Sequence, residues 1–585
     1  MPFDGLVMAA VRQELSTALD GGRIEKIYQP KKEELLIHVR QPGKRYRLLL
    51  SAHAANARVH LTSIAKENPA SPPLFCMVLR KHLEGGRIRS FNQPGLERVL
   101  LIKIEARDEL GQLTEKHLVC EIMGRHSNII LVDPVTNSII DGIRRYSHAV
   151  SRYREVLPGQ PYLPPPLQGK LNPLTAGEED FRRVVLSSPL EDKLVNIIQR
   201  CFDGFSTVTC REIIYRANLP ENIILDHCGE YELVRLWQTI SSAAEATAKG
   251  NFQPCLLLDR HGIPSDFTAF GCRSKTSGGK MNDLLDYFFH ARECQEYFDR
   301  EKRSLLNLLN REIKQLTKKL AAYDQDLAET AGAENFQLYG ELLVANLYRL
   351  NSNLPEATLE NYYDPTGATV TIPLDSRLTP AENAQAYFKK HLKAKKARDA
   401  LSALIDQAGA ELFYLEEVKT SLDLAASRSE LAEIKQELVE QGYISTTGAK
   451  NKTAEPVSQP LRFKSSDGFT ILIGKNNRQN DRLTKKTARD EDIWLHAKNI
   501  PGAHVIIRTG GLAVPASTIR EAASLAAYFS RARQSQNVPV DYTLKKFVRK
   551  PTGARPGMVV YENQKTILVT PDESLVKSLR KEQTI

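Results

Sequence analysis

The 585-residue sequence predicts a multidomain α+β protein, and three observations lead to that fold class. Apolar and polar residues alternate over short runs in the first 135 residues, which is typical of half-buried antiparallel strands. Leucine and isoleucine recur at spacings of three and four residues after residue 300, which is typical of paired helices. Basic residues concentrate in a mixed α/β block near the C-terminus. The length by itself favours about three to four domains.

Residues 1–174 are predicted to form a β-rich domain. A helix over Gly5–Leu19 precedes a turn at Asp20, Gly21 and Gly22. Alternation then predicts strands over 23–29, 34–40, 45–51, 99–106, 118–123 and 127–132. A run of three prolines at 164–166 marks the predicted end of this domain.

Residues 175–280 are predicted to be mainly helical, with one strand over 255–259. Gly204 provides a turn, Ser206 can cap a helix, and an amphipathic segment follows over 208–217. This pattern is typical of a helix-hairpin-helix unit, which often contacts nucleic-acid backbone. Plain helical packing is the alternative.

Residues 281–446 are predicted to form a long antiparallel coiled-coil hairpin. One arm carries a heptad seam, at Leu306, Leu309, Ile313, Leu316, Leu320, Tyr323 and Leu327. The second arm carries a similar seam, at Leu401, Ile405, Ala408, Leu412 and Leu415. A compact insert between the arms favours an intramolecular hairpin, and an intermolecular coiled coil is the alternative. Residues 447–460 are a predicted polar linker.

The block over 461–585 is predicted to be a basic α/β domain that binds a polyanion. Between 461 and 558 there are eighteen Lys and Arg against seven Asp and Glu, while the whole chain carries +10. The excess of eleven exceeds the net charge of the whole chain, so the remaining residues are close to neutral overall. Strands are predicted over 469–474, 503–508 and 541–548, with a helix over 517–531.

The loop over 548–557 contains two prolines, two glycines and three basic residues. We expect it to be stiff, and a stiff basic loop suits phosphate contact because little conformational freedom is lost on binding. Trp494 is predicted to be a core residue or, alternatively, a base-stacking platform. The candidate RNA contacts of the domain are Lys485, Lys486, Arg489, Trp494, His496, Lys498, His504, Arg508, Arg549, Lys550 and Arg555.

The sequence predicts neither catalysis nor a cofactor. The motifs Gly-x-Gly-x-x-Gly, Gly-x-x-x-x-Gly-Lys-Ser/Thr, His-Glu-x-x-His and Gly-x-Ser-x-Gly do not occur. The eight cysteines are scattered without a Cys-x-x-Cys, so we expect free thiols and no metal site. No apolar run is long enough to span a membrane, and residues 1–5 do not resemble a secretion signal.

Four segments, over 1–5, 23–30, 121–131 and 492–505, resemble the NFACT family. The resemblance covers essentially the whole chain. It implies an N-terminal domain akin to that of formamidopyrimidine-DNA glycosylases, then a helix-hairpin-helix, a coiled-coil middle and an RNA-binding domain. The implied bounds are 1–174, 175–280, 281–446 and 461–585.

The resemblance also implies a role in ribosome-associated quality control. Family members bind a free large ribosomal subunit that holds a stalled peptidyl-tRNA, and they recruit charged tRNA, chiefly alanyl-tRNA in bacteria. The ribosome then adds an untemplated C-terminal tail, so the protein itself is a binding factor and not an enzyme. Implied partners are rRNA, tRNA and a small S4-like RNA-binding protein. The implied location is cytoplasmic and ribosome-associated, away from membranes, with the hairpin reaching the stalk base.

The family's residues for tRNA handling are an early Asp and an Asp-Arg pair. Asp4 matches the first, and the pair falls at Glu97 and Arg98, where the acid is Glu. Arg98 can still clamp a phosphate or a base edge. Arg125 and His126, in a turn that also matches, are further candidate tRNA contacts, with a simple strand connection as the alternative.

A surface adhesin and a DNA glycosylase/lyase are the alternatives to a role in ribosome-associated quality control. A fibronectin-binding surface adhesin is disfavoured because neither a leader nor a cell-wall anchor is recognised. A DNA glycosylase/lyase could use an N-terminal Pro2 amine, but Phe3 follows where those enzymes have Glu, and there is no cysteine after residue 294.

Overall fold

The computed structural model describes residues 3–149, 151–166, 168–259, 262–272, 279–445 and 458–581. The chain divides into two compact units, Met1–Gln295 and Glu296–Ile585. The finer domain boundaries given above stay predictions, and most of the predicted linker lies outside the described residues.

An antiparallel nine-stranded sheet dominates the first unit, in the order β4-β3-β2-β1-β5-β6-β7-β8-β9. Its strands are β1 Arg23–Lys31, β2 Glu34–Gln41, β3 Lys44–Ser51, β4 Arg58–Leu61, β5 Arg87–Asn92, β6 Val99–Arg107, β7 Leu113–Glu121, β8 Asn128–Asp133 and β9 Ser138–Gly142. The six predicted strands are therefore present, with β7 starting five residues earlier than predicted.

Two helices accompany the sheet, α1 (Gly5–Leu19) and α2 (Leu74–Leu83). Almost every residue in the first two turns of α1 is buried, because α1 contacts the sheet on one side and the helical part of the unit on the other. Residues of the sheet, of α1 and of the following helices share one hydrophobic core.

The helical part of the first unit comprises α3 Glu178–Leu186, α4 Leu194–Cys201, α5 Thr207–Arg216 and α6 Glu230–Ala248. Ser206 caps α5 as predicted, accepting a hydrogen bond from the Thr209 amide. A hairpin of β10 (Cys255–Leu258) and β11 (Pro264–Thr268) follows. The expectation of free thiols is wrong for Cys255 and Cys272, which are joined as a disulfide beside this hairpin.

The long helix α7 (Met281–Glu329) begins in the first unit and continues in the second. Its first turn is held by Glu14 of α1, whose carboxylate accepts hydrogen bonds from the Met281 and Asn282 amides at 2.6 and 3.0 Å. Asp286 accepts hydrogen bonds from the Thr62 and Ser63 hydroxyls. The beginning of α7 is thus part of the N-terminal domain's own hydrogen-bond network.

The second unit contains two long helices that run antiparallel. Leu309 of α7 and Leu415 of α9 (Pro380–Leu424) lie in one buried cluster. The Lys302 ammonium donates to the Asp423 carbonyl, whereas Arg398, earlier in α9, lies 3.8 Å from Glu334, which follows α7. The segment between α7 and α9 forms a small subdomain that consists of α8 Ala333–Ala345, β12 Glu356–Glu360 and β13 Thr369–Pro373. Helix α10 (Arg428–Glu440) follows α9.

A six-stranded antiparallel sheet, in the order β14-β15-β17-β16-β18-β21, forms the basic block. Its strands are β14 Leu461–Lys464, β15 Thr470–Ile473, β16 Ile493–Ala497, β17 Val505–Arg508, β18 Val538–Leu544 and β21 Lys565–Val569. Beside it lie α11 Asn477–Arg482, α12 Ala516–Tyr528, α13 Glu573–Lys581 and the short pair β19 Val548–Arg549 and β20 Val560–Tyr561. The mixed α/β prediction is confirmed, although the predicted strand over 541–548 starts and ends earlier.

Among the described residues, we find no helix that combines the length and the apolar character needed to cross a bilayer.

Candidate nucleic-acid interface

A cleft of about 920 Å³ in the first unit is lined by all five residues predicted to handle tRNA. These residues are Asp4, Glu97, Arg98, Arg125 and His126. Seven basic and four acidic side chains line the cleft in total. A concave surface with surplus positive charge attracts a polyanion, so the cleft is the candidate site of this unit.

Asp4 holds the wall of the cleft together. Its side chain is 2% exposed and caps α1 by accepting from the Val7 amide at 3.0 Å. The other carboxylate oxygen accepts from the Ser206 amide at 3.0 Å and from the Thr209 hydroxyl at 2.6 Å. With three donors already satisfying it, Asp4 positions α5 against α1, and a direct tRNA contact by Asp4 stays a prediction.

Glu97 and Arg98 lie on a tight turn before β6. Gly95 adopts φ +52°, and the Glu97 amide donates to the Pro94 carbonyl at 2.9 Å. Gln93 fixes the turn from inside by donating to the carbonyls of Gly5 and Glu97. Burial, and then the charge of Asp203, raise the pKa of Glu97 above its usual value.

Arg125 and His126 are exposed on a single 3₁₀ turn between β7 and β8. The Arg125 Nε donates to the His126 ring at 2.9 Å, and the Arg125 carbonyl accepts from Arg144 at 2.7 Å. Gly124 enters the turn with φ +60°, a conformation that favours glycine. Both side chains are therefore presented to solvent on an anchored backbone.

Sequence reasoning did not select several other residues that line the cleft, including Asp203, Lys170 and Arg144. Asp203 directly precedes Gly204, the predicted turn, and lies three residues before Ser206, the predicted helix cap. That position could have identified Asp203 as a candidate site residue. Lys170 donates to the Gln199 carbonyl at 3.0 Å, and Arg144 pairs with Glu33. No sequence signal distinguished these two from other surface residues.

Five of the predicted contacts of the basic block are exposed: Lys485, Lys486, Arg489, Lys498 and Arg549. Lys485 and Lys486 project from a π-helical turn over Leu483–Thr487. None of the five forms an ion pair with another residue in the described part of the chain. These side chains are free to contact phosphate.

Three aromatic contacts predicted for this block are corrected by their burial. Trp494 is 0% exposed and packs with Leu483 and Ile506, so its ring cannot stack on a base in this structure. His496 and His504 are also buried, at 8% and 1% exposure. The His504 Nδ1 lies 2.8 Å from the Thr484 hydroxyl. Burial lowers the pKa of His496 to about 4 and that of His504 well below its usual value, so both are neutral core groups.

Three further basic side chains predicted to contact RNA already have protein partners, and their contact with RNA stays a prediction. Lys550 lies 2.5 Å from the Asp481 carboxylate. Arg555 donates to the Tyr443 hydroxyl at 2.7 Å. Arg508 lies 3.4 Å from Asp492. Of the three basic residues in the predicted phosphate loop, Arg549 is exposed, whereas Lys550 and Arg555 are half-buried.

A second basic surface lies on α9. The net charge of the chain did not predict it, because acidic residues elsewhere offset its positive charges in the sum. Six exposed basic residues occur within ten positions of that helix: Lys389, Lys390, Lys393, Lys395, Lys396 and Arg398. Exposed aromatic rings occur in the adjoining small subdomain, at Tyr348, Tyr362 and Tyr363. Cations and aromatic rings together are typical of RNA-binding surfaces.

In the described ranges, no three His, Cys, Asp or Glu side chains are placed to hold a metal ion. Pro2, which the lyase hypothesis requires, lies outside the described residues. Phe3 is fully buried and packs edge-on against Phe267, 6.5 Å between ring centroids.

Two family models match the chain. The model for the NFACT N-terminal and middle domains matches residues 4–456, and the model for the NFACT protein RNA-binding domain matches residues 459–563.

Curated relatives agree with that match in sequence. The "Rqc2 homolog RqcH" of Bacillus subtilis (strain 168) is 40% identical over 99% of this chain and 100% of its own length. The human "Ribosome quality control complex subunit NEMF" is 30% identical over 22% of this chain and 11% of its own. The N-terminal part of the fibronectin/fibrinogen-binding protein of Streptococcus suis is 31% identical, covering 49% of this chain and 99% of that one, with a TM-score of 0.41.

Proposed function

This chain belongs to the NFACT family, and from that premise we propose that it is an RNA-binding factor of ribosome-associated quality control. In this proposal it binds a large ribosomal subunit obstructed by peptidyl-tRNA and recruits charged tRNA, alanyl-tRNA in particular. The ribosome then extends the stalled chain by untemplated C-terminal tailing. Peptide-bond formation belongs to the ribosome, so the chain binds and positions its ligands.

One observation carries the tRNA part of the proposal. Residues separated by more than a hundred positions, Asp4, Glu97, Arg98, Arg125 and His126, line a single cleft with surplus positive charge. Arg98 makes no side-chain hydrogen bond or ion pair with any residue in the described ranges, and it carries a planar donor array suited to phosphate or a base edge. Among the described residues, only the electrostatic attraction of Glu97 and Asp203 engages the Arg98 guanidinium, so its hydrogen-bond donors are available to an anionic ligand.

The second unit supports the ribosome part of the proposal. Its exposed lysines on the π-helical turn, and the basic face of α9, are two surfaces suited to rRNA backbone. We propose that the long helices act as an antiparallel coiled-coil arm that carries the α9 surface to the stalk base. A small S4-like RNA-binding protein completes the proposed assembly.

The test is to identify the RNA bound in cells. The tagged full chain is crosslinked, and the attached RNA is sequenced, with ribosome sedimentation at low and high salt in parallel. We expect large-subunit rRNA and tRNA reads, with ribosome association that weakens as salt rises. The Arg98→Ala variant should lose tRNA reads while keeping rRNA reads. Arg89→Ala is a matched control, since Arg89 pairs with Glu105 on the sheet outside the cleft.

Absence from ribosomal fractions at low salt, together with random RNA reads, contradicts the proposal. The two alternatives have their own readouts. Proteolysis of intact cells that removes the protein favours an adhesin, and a borohydride-trapped adduct with abasic DNA favours a lyase.

A further inference from the structure

The acids of the cleft need an explanation, because carboxylates repel the phosphates that the surrounding cations attract. Two of the four are explained by the protein itself. Asp4 accepts three hydrogen bonds, and Glu33 lies 2.8 Å from Arg144. The remaining two, Glu97 and Asp203, accept no side-chain hydrogen bond within the described part of the chain, and only the electrostatic attraction of Arg98 and Lys170 offsets their charge.

Close backbone packing places these two acids together. The Gly5 amide donates to the Gly204 carbonyl at 2.9 Å. A Cβ at Gly5 would lie 2.6 Å from the Gly204 Cα, and a Cβ at Gly204 would lie 2.6 Å from the Leu96 Cβ. The turn before Glu97 and the turn after Asp203 therefore pack directly against each other, and no larger residue can separate them.

We propose that Glu97 and Asp203 form an acceptor pair that reads the exocyclic amino group of an unpaired RNA base. Carboxylates accept hydrogen bonds from such amino groups, and unpaired bases are what proteins read in RNA loops. Arg98 and Lys170, which also face the pair, hold the adjoining phosphates. The inference rests on the proposed function and deepens it by naming Asp203 as a specificity-determining residue.

The charges around the pair support this assignment. Burial and then Asp203 raise the pKa of Glu97, while Arg98 and Lys170 oppose that rise. Burial raises the pKa of Asp203, again opposed by Lys170 and Arg98. An acceptor must be deprotonated, so selectivity for amino-bearing bases should increase as pH rises through the acidic range. Removing the Asp203 charge lowers the pKa of Glu97 and moves this increase to lower pH.

The experiment uses RNA hairpins that share one stem and differ only in a seven-residue loop of cytidine, adenosine, uridine or inosine. Adenosine and cytidine carry the amino group, whereas inosine and uridine lack it. For the wild-type full chain we expect about tenfold or tighter binding of amino-bearing loops at pH 7. Asp203→Asn should reduce that preference to about threefold or less while binding uridine loops at least as well. Asp203→Glu should restore part of the preference.

Asp192→Asn is the matched control, because Asp192 belongs to the same helical part but pairs with Arg200 outside the cleft. Thermal unfolding of each variant establishes that the fold is intact. An unchanged base preference in folded Asp203→Asn overturns the inference and leaves the proposed function standing. If wild type binds aminoacylated tRNA but none of the hairpins, the inference is also overturned, because the acids would then bind the ammonium group of the attached amino acid. Failure of every hairpin and of tRNA to bind wild type contradicts the proposed function itself.

Discussion

Replacing Glu417 by glutamine should stabilise the second unit at alkaline pH. Glu417 lies on α9, is 4% exposed, and its Oε2 has no hydrogen-bond partner in the structure. Burial, and then the charges of Glu437 and Asp481, raise its pKa to about 8. The pKa of Glu437, on α10, is also raised by burial, to about 7, although Tyr414 and Asn477 donate to its carboxylate.

The sign of the effect follows from proton linkage. The folded chain holds a proton on Glu417 that the unfolded chain, with a pKa near 4.5, has released. Stability is therefore highest below the unfolded pKa and falls as pH rises toward 8. Each unit of pKa difference corresponds to about 1.4 kcal/mol, so ionisation of Glu417 costs about 3 kcal/mol between pH 5 and pH 8. Glutamine has nearly the same shape and no charge to lose.

Urea denaturation followed by tryptophan fluorescence measures this difference. The chain has two tryptophans, and a Trp237→Phe background leaves buried Trp494 as the reporter in the second unit. Between pH 5 and 8.5, we expect the Glu417→Gln variant to lose about 3 kcal/mol less stability than its parent. Neighbouring Glu416 pairs with Arg531 at the surface, so Glu416→Gln should leave the pH slope unchanged. Equal slopes for Glu417→Gln and its parent would refute the linkage.

Three further predictions concern RNA binding and acid stability. Arg98→Ala should weaken binding of tRNA by about 5- to 150-fold, measured by filter binding, and an unchanged affinity would remove Arg98 from the site. The double variant Lys485→Ala/Lys486→Ala should lower the salt dependence of rRNA binding by about two ions, because both side chains are exposed and form no ion pair in the described structure. Lys550→Ala should instead reduce the free energy of unfolding, because it removes the ion-pair partner of Asp481. The buried His496 has a folded pKa of about 4 against 6.5 in the unfolded chain, so its protonation destabilises the basic domain as pH falls from 6.5 toward 4, while Glu417 contributes with the opposite sign. The His496→Gln variant should therefore lose less stability than its parent over that range, and equal shifts of the Trp494 urea midpoint in the two proteins would contradict this.

The sequence pattern predicts those elements whose burial follows a simple period. Alternation located six of the nine strands of the large sheet and missed β4, β5 and β9, and the four residues of β4 include Arg58 and His60. Both are almost fully buried, Arg58 by pairing with Glu34 and Glu293 from distant parts of the chain. The four residues do alternate, but this is the shortest run over which alternation is informative, and the burial of Arg58 and His60 depends on partners that only the fold supplies.

The sequence predicted which residues lie close together better than it predicted their exposure. Family motifs selected residues that meet in one cleft, whereas the state of each charge depended on distant partners. Lys550 and Arg555 appeared free in a basic loop, but Asp481 and Tyr443 lie 69 and 112 positions away in the chain. Trp494 offered no local signal to separate a core ring from a stacking ring, since both occur beside apolar strands.

The contacts of α1 have a consequence for how the chain folds during synthesis. Asp4 finds its partners 202 and 205 positions later, and Glu14 finds its own 267 and 268 positions later. At typical synthesis rates, roughly 15 to 55 seconds separate the appearance of this helix from that of its last partner. During that interval the side of α1 that faces the helical part has no permanent cover, so unit one should be most vulnerable to aggregation and to chaperone capture before residue 282 emerges. The lining of the cleft is complete only when the chain has been synthesised as far as Ser206, which makes RNA binding by a shorter chain unfavourable.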